Sequence, residues 1–381
     1  MDHRDDGPRR RRRERWQPAA SVALGRRDRG TDRERGAVVT VRAYTVIGGG
    51  AIGGTLASAL VTAGHPVVVV DVDDDHVASI SRNGLVIRSP DGTERGARLS
   101  AYTPAQADGL ELRFERVLLA VKGPGATAQA ADWLAPRLAP DGFVVSVQNG
   151  LHEPVIAARV GQERTVGAFV DFFADVTEPG VIADGGAGSL VVGELDGTPS
   201  VRVDTLAEDL SAWGPAAVTD NVMGFLWSKL GFGAMLAATA LADAPMADLI
   251  DRHRDVMARL ARDVYRVAAT VPVRLEPFDG YQPHAFVDGA EPDVRAAGFD
   301  RLVTWLAGQS KTRSGVWRDI AVRRRPSEAT DRQEELVAMG ERAGVATPHL
   351  ALLASTLRQL ESGDRAMSED NLRILEDATC S

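Results

Sequence analysis

The chain has 381 residues, enough for two domains, and its 44% hydrophobic and 25% charged residues are typical of a globular protein. The formal net charge is −9, although residues 1–40 carry 12 arginines against 7 acidic residues, so the body is acidic and nucleic acid is not expected as a partner. The single cysteine, Cys380, excludes an intrachain disulfide and a cysteine-based metal site, which agrees with a cytoplasmic protein. No metal is expected.

Residues 1–41 are predicted to be a disordered basic extension. The run "PRRRRRERW" has no apolar periodicity, and no apolar stretch of the kind found in signal peptides follows its arginines. A nucleic-acid-binding patch is the less favoured alternative. The folded pattern begins at "VRAYTVIGGG", so a translation start near Val39 or Val41 is expected.

Residues 42–220 alternate short β-rich runs with helical patterns, which is typical of a parallel sheet with crossover helices. The predicted parallel strands are "YTVIG", "PVVVVD", "RVLLAVK" and "FVVSVQNG", and "LVIRSPDGTERG" resembles a hairpin. The strand-like runs "RTVGAFVDFF" and "SLVVGEL" follow, before a helix near 205–213. This order predicts an N-terminal Rossmann-type α/β domain over 42–220.

After residue 220 the strand patterns end and an all-helical C-terminal domain, 221–362, is predicted. Its expected helices cover 222–242, 245–270, 290–310, 327–343 and 349–361, and 363–381 is expected to be a flexible tail. The apolar run from 222 to 241 is about long enough to span a membrane. Because Lys229 stands near its middle, we predict a buried core helix and no membrane association.

The segment "VIGGGAIGG" places Gly48, Gly50 and Gly53 in a G-x-G-x-x-G pattern between a predicted strand and a predicted helix. In dinucleotide-binding proteins these glycines allow a tight turn, close approach of the backbone to the pyrophosphate, and close helix–sheet packing. The helix begins at Ala51 and Ile52, and its N-terminus would present free N–H groups to the phosphates. The pattern therefore predicts a dinucleotide site.

Asp71 ends the second predicted strand, 18 residues after the last of these glycines. A carboxylate at this place accepts hydrogen bonds from the ribose hydroxyls of NAD and repels the 2′-phosphate of NADP. No Arg or Lys stands in the turn to bind that phosphate, so NAD is favoured and NADP is the alternative. Asp74 and Asp75 are expected to be solvated at the start of the next helix.

With "AVKG", "VSVQNGL", "EPGVI", "LWSKL" and "SGVWRDIAVRRRPSE", these motifs occur in the order and approximate spacing of the ketopantoate reductase (2-dehydropantoate 2-reductase) family, which the chain resembles over residues 42–362. The resemblance implies a Rossmann domain, a helical domain and an active site in the cleft between them. It further implies stereospecific hydride transfer between a nicotinamide and a small-molecule 2-oxo or 2-hydroxy acid. A homodimer through the helical domain is left open.

The resemblance also implies roles for individual residues. Lys229 of "WSKL" matches the general acid of the family. Lys122 of "VKG" and Asn149 of "QNG" match residues that contact cofactor and substrate. Glu328 of "RPSE" matches a carboxylate that hydrogen-bonds substrate or cofactor, and Ser314 of "SGVWRD" lies within one position of a substrate-binding serine.

A lysine suits this chemistry because burial can lower its pKa toward the working pH, whereas an arginine stays protonated. Each of these positions also has a purely structural alternative: a snorkelling side chain for Lys229, a strand-end cap for Lys122, a simple turn for Asn149, and a surface ion pair with Arg325 for Glu328. The isolated histidines His152 and His284 are expected to be polar surface residues.

Two positions depart from the family and concern the substrate. Ketopantoate reductases usually carry substrate-binding asparagines four and eight residues after the lysine, but Gly233 and Ala237 stand there. We therefore predict a 2-oxo or 2-hydroxy acid that differs from ketopantoate and is larger or less polar. The alternatives are 2-dehydropantoate 2-reductase itself, in pantothenate synthesis, a non-catalytic NAD-binding sensor, and a β-hydroxyacid or opine-type dehydrogenase.

Overall fold

The computed structural model describes residues 39–110, 112–186, 188–309 and 311–377. The disordered extension predicted over residues 1–41 lies outside the described residues, except for its last three positions, 39–41, which begin the first strand. The strands are β1 (Val39–Ile47), β2 (Val67–Val70), β3 (Leu85–Arg88), β4 (Glu94–Ala97), β5 (Ser100–Tyr102), β6 (Leu112–Leu119), β7 (Leu138–Ser146), β8 (Thr165–Asp171), β9 (Ala174–Glu178), β10 (Val181–Asp184), β11 (Ser189–Glu194) and β12 (Ala216–Val218). The helices are α1 (Ala51–Thr62), α2 (Asp74–Asn83), α3 (Pro104–Asp108), α4 (Pro124–Leu134), α5 (Glu153–Val160), α6 (Val201–Leu210), α7 (Val222–Ala238), α8 (Met246–Arg252), α9 (Arg254–Ala268), α10 (Pro292–Ala307), α11 (Gly315–Trp317), α12 (Glu328–Ala343), α13 (Pro348–Ser362) and α14 (Asp370–Asp377).

The larger sheet has the strand order β12-β11-β8-β7-β6-β1-β2-β5. Its neighbours pair in parallel except β8 and β11, which are antiparallel. The central strands are nearly continuous runs of Val and Leu because both faces of the sheet are covered; Val46, Val69, Leu118 and Val145 are all fully buried. The carboxyl ends of β1, β2, β6 and β7 therefore meet at one edge, where open α/β sheets bind ligands.

A second sheet, with the order β4-β3-β10-β9, contains the predicted hairpin as the antiparallel pair β3 and β4. The β9–β10 hairpin and its parallel pairing with β3 were not predicted. The runs "ADVTE" and "VIAD" are too short and too polar to indicate strands on their own. β10 is held by pairing with β3, almost a hundred residues earlier, and β9 is held by pairing with β10. Sequence periodicity does not reveal such long-range pairing.

From α7 onward the described residues form helices around a separate apolar cluster, which also includes Phe169 of β8 and Val191 of β11. The helical part thus packs directly on the end of the sheet. Within the described residues, one segment, Val222–Leu241, is long and apolar enough to cross a membrane, but 72% of its apolar window is buried inside the fold. The prediction of a core helix at this place is confirmed.

The predicted fold class, a Rossmann-type α/β domain followed by a helical domain, is confirmed. Two details were wrong. The single helix predicted over 245–270 is two helices, α8 and α9, which meet at His253. The flexible tail predicted over 363–381 contains α14, whose Leu372 and Leu375 are fully buried and hold it against the helical core.

Candidate active site

The turn between β1 and α1 is closely packed on one side and open on the other. Gly48 has a φ of +94°, and a Cβ there would lie 2.9 Å from the backbone of Ala120. A Cβ on Gly53 would lie 2.0 Å from the Gly48 carbonyl oxygen, so only glycine fits. A Cβ on Gly50 would meet no atom within 4 Å, and no side chain caps the start of α1. The turn thus presents free N–H groups beside open space, an arrangement that fits a pyrophosphate.

The Asp71 carboxylate is held beside this turn by two backbone donors. Its Oδ2 accepts a hydrogen bond from the Gly49 N–H at 2.6 Å, and its Oδ1 accepts one from the Asp73 N–H at 2.9 Å. A carboxylate has about four acceptor positions, so both oxygens can still accept from ribose hydroxyls. Asp74 and Asp75 are exposed in the first turn of α2, as predicted.

A cavity of about 610 Å³ opens at the carboxyl ends of the central strands, within the size range of ligand pockets. Eight of the predicted site residues line it: Gly48, Gly50, Ala51, Ile52, Asp71, Lys122, Asn149 and Glu328. Gly53 lies behind the turn, and neither Lys229 nor Ser314 is among the residues that line this cavity. The structure therefore brings the predicted nucleotide residues together and places the predicted proton donor elsewhere. Among the described residues, no cluster of His, Cys, Asp and Glu could hold a metal ion.

A polar network beneath the cavity was missed by the sequence analysis. Thr127 Oγ1 donates a hydrogen bond to the Gly123 carbonyl at 2.9 Å and accepts one from Gln148 Nε2 at 2.6 Å. His152 Nδ1 lies 3.3 Å from Thr127 Oγ1, and its Nε2 lies 3.1 Å from the Asn149 carbonyl oxygen. These contacts tie the "VKG" turn to the "QNG" turn, and so fix the two cavity walls relative to each other.

The prediction that His152 is a surface residue was wrong, since it is buried and lines the cavity. Burial is the main cause that lowers the pKa of His152, and the positive charge of Arg332 lowers it further. The ring is therefore neutral near pH 7, and its Nε2–H donates to the Asn149 carbonyl. The only sequence signal was its place directly after "QNGL", at the end of a buried strand.

The N-terminus of α12 closes the cavity on its helical side. Ser327 caps this helix by accepting the Ala329 N–H at 3.2 Å, which places Glu328 in the first turn. Glu328 Oε1 is buried, has no hydrogen-bond partner among the described residues, and lies 4.0 Å from where a Cβ on Gly123 would be. Arg325, the alternative partner considered for Glu328, pairs instead at 2.9 Å with an aspartate of the helical turn that precedes its loop. A buried acceptor without a partner at a cavity wall can accept a hydrogen bond from a donor group of a bound ligand.

Arg332, one turn further along α12, is a second residue that the sequence analysis missed. It lines the cavity, and its Nη2 lies 3.5 Å from the Asn149 carbonyl oxygen. Burial lowers the pKa of its guanidinium, while Glu328 raises it. The positive charge of Arg332 also lowers the pKa of Lys229. Arg332 therefore lines the nucleotide cavity and acts on the lysine as well.

Lys229 lies on α7 against the carboxyl end of β8. Its Nζ donates a hydrogen bond to the Val170 carbonyl, lies 3.5 Å from Asp171 Oδ1, and lies 5.3 Å from the centre of the Phe169 ring. Only 20% of the side chain is exposed. Burial lowers the pKa of the amine, and the Asp171 carboxylate partly opposes that shift. The side chain is thus mostly buried with its amine bonded to the end of β8, whereas a snorkelling lysine keeps its ammonium in water.

The helix face that follows Lys229 has one open and one buried position. A Cβ on Gly233 would meet no atom within 4 Å, whereas Ala237 is fully buried. Ser314 is also buried, and its Oγ caps α11 by accepting the Trp317 N–H at 3.2 Å. Open space therefore begins one turn from the lysine, where the family usually carries an amide.

Two family models match the chain. The model described as "Ketopantoate reductase PanE/ApbA" matches residues 44–197, and "Ketopantoate reductase PanE/ApbA C terminal" matches residues 221–361. Curated relatives named 2-dehydropantoate 2-reductase are 32% identical over 208 residues in Mesorhizobium japonicum and 30% identical over 229 residues in Halobacterium salinarum. The first alignment covers 49% of this chain and 62% of that relative, and the second covers 58% and 74%.

Solved structures agree with this relationship. A PanE/ApbA family ketopantoate reductase from Ralstonia eutropha is 25% identical, with a TM-score of 0.68 over 85% of this chain and 100% of that one. A D-mandelate dehydrogenase in complex with NADH and anilino(oxo)acetate shares the fold, at 21% identity and a TM-score of 0.69 over 84% of this chain and 99% of that one. The ordered motifs, the glycine turn and both family matches lead to one conclusion: the chain belongs to the ketopantoate reductase family.

Proposed function

We propose that the chain is a nicotinamide-dependent oxidoreductase that reduces a 2-oxo acid, or oxidises the corresponding 2-hydroxy acid, with Lys229 as general acid or base. The observation that carries this proposal is the buried Lys229 amine, held against the end of β8 by the Val170 carbonyl and Asp171. A protein that only senses nucleotide does not need a buried amine with a lowered pKa.

The residues of the site divide the work of the reaction. A reduced nicotinamide dinucleotide held by the glycine turn would supply a hydride to the substrate carbonyl carbon. The Lys229 ammonium then protonates the alkoxide that forms on the carbonyl oxygen. Asn149 and Glu328 are proposed to hydrogen-bond substrate and cofactor at the cavity wall. Ser314, whose oxygen already accepts a backbone N–H, would contribute its hydroxyl proton.

The test of the acid role is Lys229→Ala, assayed at 340 nm against a panel of 2-oxo and 2-hydroxy acids with both cofactors. We expect kcat to fall by about 10²-fold or more, because that is the usual contribution of a general acid. Nucleotide affinity, measured by fluorescence titration, should be unchanged, since Lys229 is not among the residues that line the nucleotide cavity. An unchanged kcat would refute the role, and absence of turnover by the wild type in both directions would favour the NAD-binding sensor.

We propose NAD as the preferred cofactor, on the grounds of the Asp71 carboxylate at the end of β2. Asp71→Ser removes the charge that repels a 2′-phosphate, so the ratio of NADPH to NADH affinity should rise at least tenfold. Asp74→Ser is the matched control, because it removes an exposed carboxylate of the neighbouring turn. Stronger binding of NADPH than of NADH by the wild type would overturn the preference.

We propose a substrate with a larger or less polar side chain than ketopantoate, because Gly233 leaves open space one turn after Lys229. Ketopantoate is the second candidate, favoured by the curated relatives named 2-dehydropantoate 2-reductase. The substrate panel, assayed with NADH and NADPH, separates these two candidates. If ketopantoate with NADPH is turned over best, the proposal of a larger or less polar substrate is wrong. A cytoplasmic location and a homodimer through the helical part remain proposals alongside these.

A further inference from the structure

Four elements converge around the Lys229 amine and bring polar side chains together. Asp171 ends β8, Ser189 begins β11, Lys229 lies on α7, and Asp279 lies in a tight turn that precedes α10. Asp171 and Ser189 lie in the strand-like runs "RTVGAFVDFF" and "SLVVGEL", but apart from the lysine the sequence assigned none of these residues a role. A general acid must regain its proton after each turnover, and the role proposed for Lys229 does not say from where. These four side chains bear on that question.

Asp171 is the direct ionic partner of Lys229, with Oδ1 at 3.5 Å from Nζ. Its other carboxylate oxygen, Oδ2, is buried and accepts no hydrogen bond from any group in the described residues. A buried carboxylate oxygen without a donor is costly. Ser189, the cross-strand partner of Asp171, donates a hydrogen bond to Asp279 Oδ1 at 2.6 Å, which brings the two carboxyl groups near each other, and Asp279 can donate when it carries a proton.

Asp279 is held in an unusual backbone conformation. The chain reverses between Phe278 and Tyr281, whose backbones exchange hydrogen bonds of 3.2 and 2.8 Å, and Asp279 has a φ of +46°. Such a φ is uncommon outside glycine but is tolerated by Asp and Asn. The turn directs the carboxylate to Ser189, whose Oγ donates to Oδ1 at 2.6 Å, at a place that solvent reaches.

Two carboxylates in contact do not both ionise easily, so the pair holds a proton more tightly than an isolated aspartate. Burial is the main cause that raises the pKa of Asp279 to about 6, and Asp171 raises it further. The Ser189 hydroxyl and the Lys229 ammonium act in the opposite direction. The charges that act on Lys229 are Asp171, Asp279 and Arg332, the last from α12.

We propose that Asp171 and Asp279 share one proton and pass protons between the solvent and Lys229, so that the amine is recharged after each turnover. This inference rests on the proposed role of Lys229. In the reduction, an N–H bond of the ammonium breaks as the O–H bond of the product alcohol forms. The neutral amine then takes a proton from Asp171, whose carboxyl has received it from Asp279 and turned about its terminal torsion. Asp279 regains its proton from hydronium or a buffer acid, and oxidation runs the same path in reverse.

The first experiment reads the carboxyl pair without any turnover. Protein labelled with ¹³C at the aspartate carboxyls is titrated by NMR, and the Asp279 signal is assigned by its loss in Asp279→Asn. We expect a midpoint near pH 6 in the wild type. The midpoint should fall in Asp171→Asn, which removes a neighbouring charge, and rise in Ser189→Ala, which removes a donor to the ionised form. A wild-type midpoint near 4, or one that neither substitution moves, would overturn the shared proton.

The second experiment separates recharging from the first chemical step. In Asp279→Asn, a conservative change that tolerates the positive φ, the first turnover should slow far less than steady-state turnover, because the first proton is already on Lys229. Steady-state turnover at pH 6, where the wild-type pair still carries the shared proton, should fall at least tenfold and recover with added imidazole. Asp196→Asn, an exposed aspartate in a loop after β11, is the matched control.

The outcomes distinguish this inference from the proposed function. A wild-type steady-state rate in Asp279→Asn would refute the relay even where Lys229→Ala abolishes the reaction. If Lys229→Ala instead leaves kcat unchanged, the acid role fails, and the relay fails with it, while the NMR titration still reports whether the two carboxyls share a proton.

Discussion

Glu153, the first residue of α5, is a buried carboxylic acid beneath the site, and its replacement by Gln should stabilise the protein above neutral pH. The side chain is 1% exposed, and neither carboxylate oxygen has a hydrogen-bond partner among the described residues. Burial raises the pKa of Glu153 from 4.5 to about 7. The unfolded chain therefore ionises first, and folding becomes less favourable as the pH rises from 4.5 through 7. The difference of about 2.5 pH units, at about 1.36 kcal/mol each, corresponds to about 3 kcal/mol.

This prediction is checked by urea unfolding of the wild type and Glu153→Gln at pH 5 and pH 8. At pH 8 the variant should be more stable by about 3 kcal/mol, because it has no charge to desolvate. At pH 5 most of the difference should disappear, since the folded wild type already carries the proton. Glu163→Gln, at an exposed position, should show no such pH dependence. A difference that is the same at both pH values would refute the reasoning.

Three further predictions concern glycines of the site. Gly50→Ala should fold with an unchanged Tm but bind NADH at least tenfold more weakly, because its Cβ would enter the open side of the turn. Gly53→Ala should lose about 1–3 kcal/mol of stability by overpacking, since its Cβ would lie 2.0 Å from the Gly48 carbonyl oxygen; equal Tm values for the two variants would contradict this. Gly233→Asn should keep the Tm and raise kcat/KM for ketopantoate, because it restores an amide in open space; unchanged kinetics would show that substrate does not reach this face.

The nucleotide end was predictable because its determinants are local. The close packing at Gly48 and Gly53 comes from steric limits on neighbouring backbone, and the strand–turn–helix order is visible in hydrophobic periodicity. Asp71 follows the second strand directly, so its place beside the turn results from the parallel pairing of β1 and β2. The Val- and Leu-rich strands and the long apolar α7 were identified for the same reason.

The sequence predictions were wrong where contacts between residues far apart in the chain determine the local structure. The helix predicted over 245–270 breaks at His253, whose ring lies 2.8 Å from Glu376 and 3.0 Å from Glu369. Both partners belong to the segment predicted to be a flexible tail, which folds as a helix because Leu372 finds a buried place in the helical core. The burial of His152 likewise depends on how α5 packs under the sheet. Local periodicity contains none of these contacts.

The sequence by itself determined the fold class, the dinucleotide turn, the carboxylate of Asp71, and the presence of a lysine in an apolar helix. Only the tertiary structure decided what surrounds that lysine. Asp171 and Asp279 come from distant parts of the chain; Asp171 contacts Lys229, and the charge of Asp279 acts on it, only because α7 packs against the end of β8. The proton affinity of an amine depends on the charges within a few ångströms and on its exclusion from water. Both conditions arise where the helical part packs on the sheet, so the proton affinity of Lys229 depends on tertiary packing.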